Sequence, residues 1–122
     1  MKGLKDKVII VTGGAGGIGS ATCKRLAAEG AKVAVFDMNM QAAEALVAEI
    51  KNAQGQALAV QCDITNRDVV DQAVAKTEAE LGPIDGLVNN AGWDVFKPFL
   101  KTNATEWERL IQINLVGMLN MH

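Results

Sequence analysis

Eight residues, Thr12-Gly13-Gly14-Ala15-Gly16-Gly17-Ile18-Gly19, interrupt an apolar run, Val8-Ile9-Ile10-Val11, and lead into an amphipathic stretch. No side chain in this set carries a charge, so its chemistry is that of the backbone. Glycine there permits positive φ, close approach of a ligand to the main chain, and tight packing of a following helix on a strand. A helix beginning at such a loop directs unpaired N–H groups and the positive end of its dipole at whatever sits above it, which suits a pyrophosphate. The glycines fit two spacings. Gly14, Gly16 and Gly19 satisfy G-x-G-x-x-G, and Thr12, Gly13, Gly17 and Gly19 satisfy T-G-x-x-x-G-x-G. Either pattern alone is a weak signal, and a glycine-rich turn without a ligand satisfies both.

Two carboxylates extend the pattern. Asp37 closes a second apolar run, Ala31-Lys32-Val33-Ala34-Val35-Phe36, eighteen residues beyond Gly19. An acid at that place accepts hydrogen bonds from the ribose hydroxyls of an adenosine, or is a solvated turn residue. Met38, Asn39, Met40 and Gln41 bring no cation for a 2′-phosphate, which favours NAD over NADP. Asp63 ends a third run, Ala57-Leu58-Ala59-Val60-Gln61-Cys62, and is either a partner for an adenine amino group or a turn residue. Asn89 and Asn90 end a fourth run beside Ala91 and Gly92. Their amides serve equally to brace strands or to meet a ligand, with Asn90 to Gly92 leaning to ligand contact. Trp93 follows at the same edge, in reach of a substrate. Asn114 lies three residues after Ile111 and four before Met118, on the apolar stripe of a final helix, where an amide must be hydrogen-bonded or cost about 1–3 kcal/mol.

These residues must be positioned by alternating strands and helices. The first helix is expected over about residues 17 to 29, with Ile18, Thr22, Leu26 and Ala27 as its stripe and Gly30 as a left-handed cap. Asn39 caps a second, whose inner face is Ala43, Leu46, Val47 and Ile50. Thr65 with Asp68 starts a third, carrying Val70, Ala73, Val74, Thr77 and Leu81 and stopped by Gly82-Pro83. Thr105 with Glu108 starts the last, with Trp107, Leu110, Ile111, Leu115 and Met118 on one side. Four such repeats predict an α/β fold, a Rossmann-type doubly wound parallel sheet of about four strands in the order 3-2-1-4. The ligand edge then lies outside the carboxyl ends of strands one and four.

Composition limits the alternatives. With 122 residues there is one domain's worth of chain, and a net charge of −2 with scattered basic residues gives no footprint for nucleic acid. No apolar run reaches the length of a membrane span, and the amino terminus lacks a signal-like core, so a cytoplasmic protein is expected. Cys23, Cys62 and His122 do not make a metal-ligand set, and the two thiols read as buried core residues.

Taken in order, Thr12 to Gly19, Asp63, Asn89-Asn90-Ala91-Gly92 and Ile113-Asn114-Leu115-Val116-Gly117 give the chain a pattern that resembles the short-chain dehydrogenase/reductase family throughout its length. The resemblance implies an NAD-dependent oxidoreductase interconverting a secondary alcohol and a ketone, with Gly13, Gly17 and Gly19 as the family glycines. Gly16 and Ile18 join them at the pyrophosphate. It assigns Asp37 to the ribose, Asp63 and Ile64 to the adenine, Asn90, Ala91 and Gly92 to the cofactor's wall, and Asn114 to the Asn-Ser-Tyr-Lys catalytic set. The other members of that set are absent, since the chain has no tyrosine and its only serine is Ser20 in the first helix. The chain therefore looks like the amino-terminal, NAD-binding half of such an enzyme, truncated before the Tyr/Lys segment and inactive alone. The segments 93–99 and 106–111 are most similar to members that oxidise alicyclic β-hydroxyacyl-CoA thioesters, with 3-oxoacyl-carrier-protein reductases as the competing branch. The family also implies a homo-oligomer, a tetramer in the complete enzyme.

Overall fold

The computed structural model describes residues 4–63, 65–89 and, for the backbone, 111–113. Strands β1 (Val8–Thr12), β2 (Lys32–Asp37), β3 (Gln56–Gln61), β4 (Ile84–Asn89) and β5 (Ile111–Ile113) form one parallel sheet in the order β3-β2-β1-β4-β5. Helices α1 (Gly17–Ala28), α2 (Met40–Asn52) and α3 (Arg67–Leu81) make the crossovers. The fold is the α/β, Rossmann-type sheet expected, with the first four strands in the expected order.

Every residue of β1 is buried, as are Val33 to Phe36 of β2, because each strand is covered on both faces. One core holds Ile9, Val11, Val33 and Val35 against Leu26 of α1 and Leu46, Val47 and Ile50 of α2. The other holds Ile10, Ala34, Phe36, Val60 and Leu87 against Val70, Ala73 and Val74 of α3. Alternate side chains of β1 to β4 thus feed opposite cores, the period of two at work.

Local signals explain most boundaries. α1 ends at Glu29 with Gly30 following at φ +94°, a conformation that glycine adopts without strain. Asn39 caps α2, its Oδ1 accepting from Ala42 N at 3.1 Å. The cap of α3 is Asn66 and not Thr65: Asn66 Oδ1 accepts from Val69 N at 3.2 Å, while Thr65 turns back onto Asp63. Thr22 is buried on the inner side of α1 as expected, but Ile18, expected on the same stripe, is 52% exposed. It stands in the first turn, next to Gly16 and Gly17, which are exposed as well.

A larger correction concerns residues 111–113. The apolar spacing around Ile111 predicts helix, yet Ile111, Gln112 and Ile113 pair as a strand with Gly86, Leu87 and Val88 of β4. The segment Ile-Gln-Ile also alternates at period two, and an edge of open N–H and C=O groups on β4 favours pairing. The sheet therefore has five strands where about four were expected. The remainder of the expected last helix lies outside the described residues.

Candidate functional site

The glycine loop leaves β1 at its carboxyl end. Gly13 has φ +63°, the left-handed region, and its N–H donates to Phe36 O at 2.8 Å. Gly14 N donates to the same oxygen at 3.3 Å, and Gly16 N closes a turn on Gly13 O at 3.2 Å. The loop is thus tied to the end of β2. Gly16 caps α1 without a side-chain hydrogen bond, and the first turn carries no acidic residue. Gly16, Gly17 and Ile18 are exposed, whereas Gly19 is buried. A Cβ built on Gly17 would meet no atom within 4 Å, so the space over the helix start is open. A helix terminus with uncapped amides, no acid and an open approach suits an anion.

Beside the loop, a cavity of about 310 Å³ is lined by Gly13, Phe36, Asp37, Met38, Cys62, Asp63 and Thr65. It joins the carboxyl ends of β1, β2 and β3, which three separate sequence segments supply. Asp37 is half-buried at its wall. Asp37 Oδ2 accepts from Ala15 N at 3.0 Å and Oδ1 from Asn39 N at 2.9 Å. Asp63 Oδ1 accepts from Thr65 N at 2.9 Å and Thr65 Oγ1 at 2.6 Å. The Thr65 hydroxyl, and then its amide, hold the Asp63 carboxyl below its usual range, so it stays ionised. Met38, 66% exposed, also lines the cavity, and its carbonyl accepts from Gln61 Nε2 at 3.2 Å.

The neighbouring thiols are not nucleophiles. Burial first, and the Asp37 charge second, push Cys23 up to about 12. Burial and then Asp63 push Cys62 to about 11. Both stay protonated at neutral pH. Among the described residues no group of His, Cys, Asp and Glu is placed to hold a metal ion. No helix among them is long and apolar enough to cross a membrane.

The structure therefore brings together Gly13, Gly16, Gly17, Ile18, Gly19, Asp37 and Asp63 at one sheet edge. Ile64, Asn90, Ala91, Gly92, Trp93 and Asn114 lie outside the described residues, although β4 ends at Asn89 and β5 at Ile113 on this same edge. Sequence reasoning missed Met38 as a wall and Thr65 as the partner of Asp63. The signal for Thr65 was present, because a hydroxyl two residues after an aspartate is spaced to close a turn on it.

Comparison with known proteins agrees with this geometry. Residues 7–122 match the family described as short chain dehydrogenase. Cyclopentanol dehydrogenase of Comamonas sp. is 43% identical over 112 residues, covering 92% of this chain and 45% of the relative. A 3-oxoacyl-[acyl-carrier-protein] reductase of Synechocystis sp. is 42% identical over 119 residues, covering 97% of this chain and 48% of the relative. Among solved structures, an oxidoreductase from Haemophilus influenza with bound NAD superposes with a TM-score of 0.71 at 32% identity, over 73% of this chain and 32% of that one. The chain spans less than half the length of the two curated relatives. With a match across nearly its whole length and the glycine loop and sheet order in place, the chain belongs to the short-chain dehydrogenase family.

Proposed function

We propose that this chain is the NAD-binding half of an oxidoreductase that passes a hydride between a secondary alcohol or ketone and the nicotinamide. The observation that carries the cofactor choice is Asp37 at the cavity wall, with no lysine or arginine from residue 38 to 41. When bound, the dinucleotide supplies the hydride chemistry. The chain's own residues orient it. Amides at the start of α1 face the pyrophosphate, Asp37 accepts from the ribose hydroxyls, and Asp63 faces the adenine, with Met38 lining the same cavity. Asn90 to Gly92 and Asn114 complete this reading, the latter as a brace for the catalytic lysine of the family pattern, and Trp93 contacts the substrate. In a complete enzyme, Asn114→Ala lowers kcat far more than it weakens NAD binding.

The substrate we favour is an alicyclic β-hydroxyacyl-CoA, on the similarity of segments 93–99 and 106–111 to 2-hydroxycyclohexanecarboxyl-CoA dehydrogenase. A second reading, a 3-oxoacyl-carrier-protein reductase, rests on the Synechocystis relative. The setting is cytoplasmic and the whole enzyme a homo-oligomer, a tetramer by the family resemblance. Because the 122 residues contain no tyrosine, they bind NAD without turning over alcohol.

Calorimetric titration with NAD and NADP tests the reading. A carboxylate about 4 Å from an added phosphate charge costs roughly 1–4 kcal/mol, about one to three decades in Kd. Equal constants overturn the NAD assignment, and binding of neither makes the chain a scaffold. Formation of NADH from cyclic alcohols or hydroxyacyl-CoAs by this chain alone overturns the assignment of inactivity.

A further inference from the structure

Three successive amides of the glycine loop donate to the carboxyl end of β2: Gly13 N and Gly14 N to Phe36 O, at 2.8 and 3.3 Å, and Ala15 N to Asp37 Oδ2 at 3.0 Å. The first two depend on a main-chain oxygen that every residue type supplies. The third depends on a side chain. Asn39 N donates to Asp37 Oδ1 at 2.9 Å and so sets the rotation of the carboxylate that aims Oδ2 at the loop. Ala15 also packs against the core of β1, β2 and α1, so the Asp37 bond fixes the direction of its amide and is not the loop's sole anchor.

We propose that Asp37 is a positioning residue for the phosphate-binding loop, through Ala15, in addition to its place at the ribose. This rests on the cofactor reading above for the ligand, but not for the tie itself. Each carboxylate oxygen has two acceptor positions, so the loop bond and a ribose hydroxyl are accepted together. Replacing Asp37 to relax the choice between NAD and NADP then loosens the pyrophosphate site as well. Binding falls even for a ligand that has no hydroxyl for Asp37 to read.

The test uses ADP and 2′,3′-dideoxy-ADP on the 122-residue chain and on Asp37→Ala, with amide hydrogen exchange on both proteins free of ligand. The expected results are a loss of roughly fivefold or more in dideoxy-ADP affinity, the scale of one hydrogen bond, and faster exchange at Ala15. Exchange at the β1 and β2 amides stays unchanged, which separates a local tie from general destabilisation. Asp37→Asn keeps one acceptor oxygen for the two donors, Ala15 N and Asn39 N, and so restores dideoxy-ADP binding only in part. A residue that only reads ribose leaves dideoxy-ADP unchanged in Asp37→Ala, or tightens it by removing a negative charge near the diphosphate, and either result overturns the proposal. Unchanged exchange at Ala15 overturns it too. If the parent chain binds neither nucleotide, the cofactor reading fails, while the exchange at Ala15 still decides the tie.

Discussion

Gly14 and Val35 meet so closely that a Cβ on Gly14 would lie 2.9 Å from Val35 Cγ1, with Val11 O at 3.0 Å and Cys23 Sγ at 3.2 Å. The loop crosses the end of β2 at this point, and the core beneath leaves no room for a methyl group. Gly14→Ala therefore destabilises the fold by about 1–3 kcal/mol through overpacking. Gly17→Ala has the opposite signature. With nothing within 4 Å and a helical position, it leaves the melting temperature unchanged or raises it, while NAD binding weakens. Thermal melts paired with NAD titration check both, and equal losses of stability in the two variants contradict the assignment.

Thr65→Val removes the 2.6 Å bond to Asp63 and keeps the shape of the side chain. The Asp63 carboxyl, depressed in the fold, contributes stability that is present above its unfolded value and disappears as pH falls through the folded one. Removing the hydroxyl moves the folded value upward and narrows that acid window. A carbon-detected NMR titration of Asp63 measures the shift, and an unmoved titration curve shows that the Thr65 hydroxyl is not its cause.

The thiol of Cys23 gives a pH dependence of the other sign. Its folded value of about 12 lies above the ordinary 9.0, so the contribution is fully present below about pH 9. Between those values the unfolded chain releases a proton that the folded chain keeps, and stability falls as pH rises. Urea midpoints from pH 8 to 11 should decline, and Cys23→Ala should flatten the decline while lowering the midpoint at pH 8. The parent thiols should also resist alkylation at pH 8 until urea is added.

Asp85 mends an irregularity in the sheet. The register of β1 on β4 shifts between Val8 and Ile9, and Asp85 Oδ2 accepts from Val8 N at 2.9 Å where a ladder carbonyl would stand. Val8 is buried, so Asp85→Ala leaves an orphan donor and costs about 1–3 kcal/mol. Asp85→Asn retains an acceptor and should lose less. Chemical denaturation of the two variants checks the order.

Much of this protein is determined locally. Apolar runs ending in Gly13, Asp37 and Asp63 place three strands and their carboxyl ends, because a strand covered on both faces needs no polar residue until it leaves the sheet. Asn39 caps α2 as its type demands, since its side chain reaches an amide three residues on. Local signals compete at Thr65 and Asn66, both good caps, and the Asp63 carboxylate decides by capturing Thr65. At Ile111 the spacings for helix and strand coexist, and the exposed side of β4 selects the strand. Ile18 shows a third kind of case: its apolar character predicts burial, but in the first turn of α1 it stays exposed beside the glycine loop. What the linear chain cannot carry is which groups meet across it. Ala15 and Asp37 are twenty-two residues apart and come within 3.0 Å only because β1 and β2 lie side by side, in register from Val8–Lys32 to Thr12–Phe36. Periodicity and capping act over a few residues, whereas that meeting depends on the packing of the whole sheet.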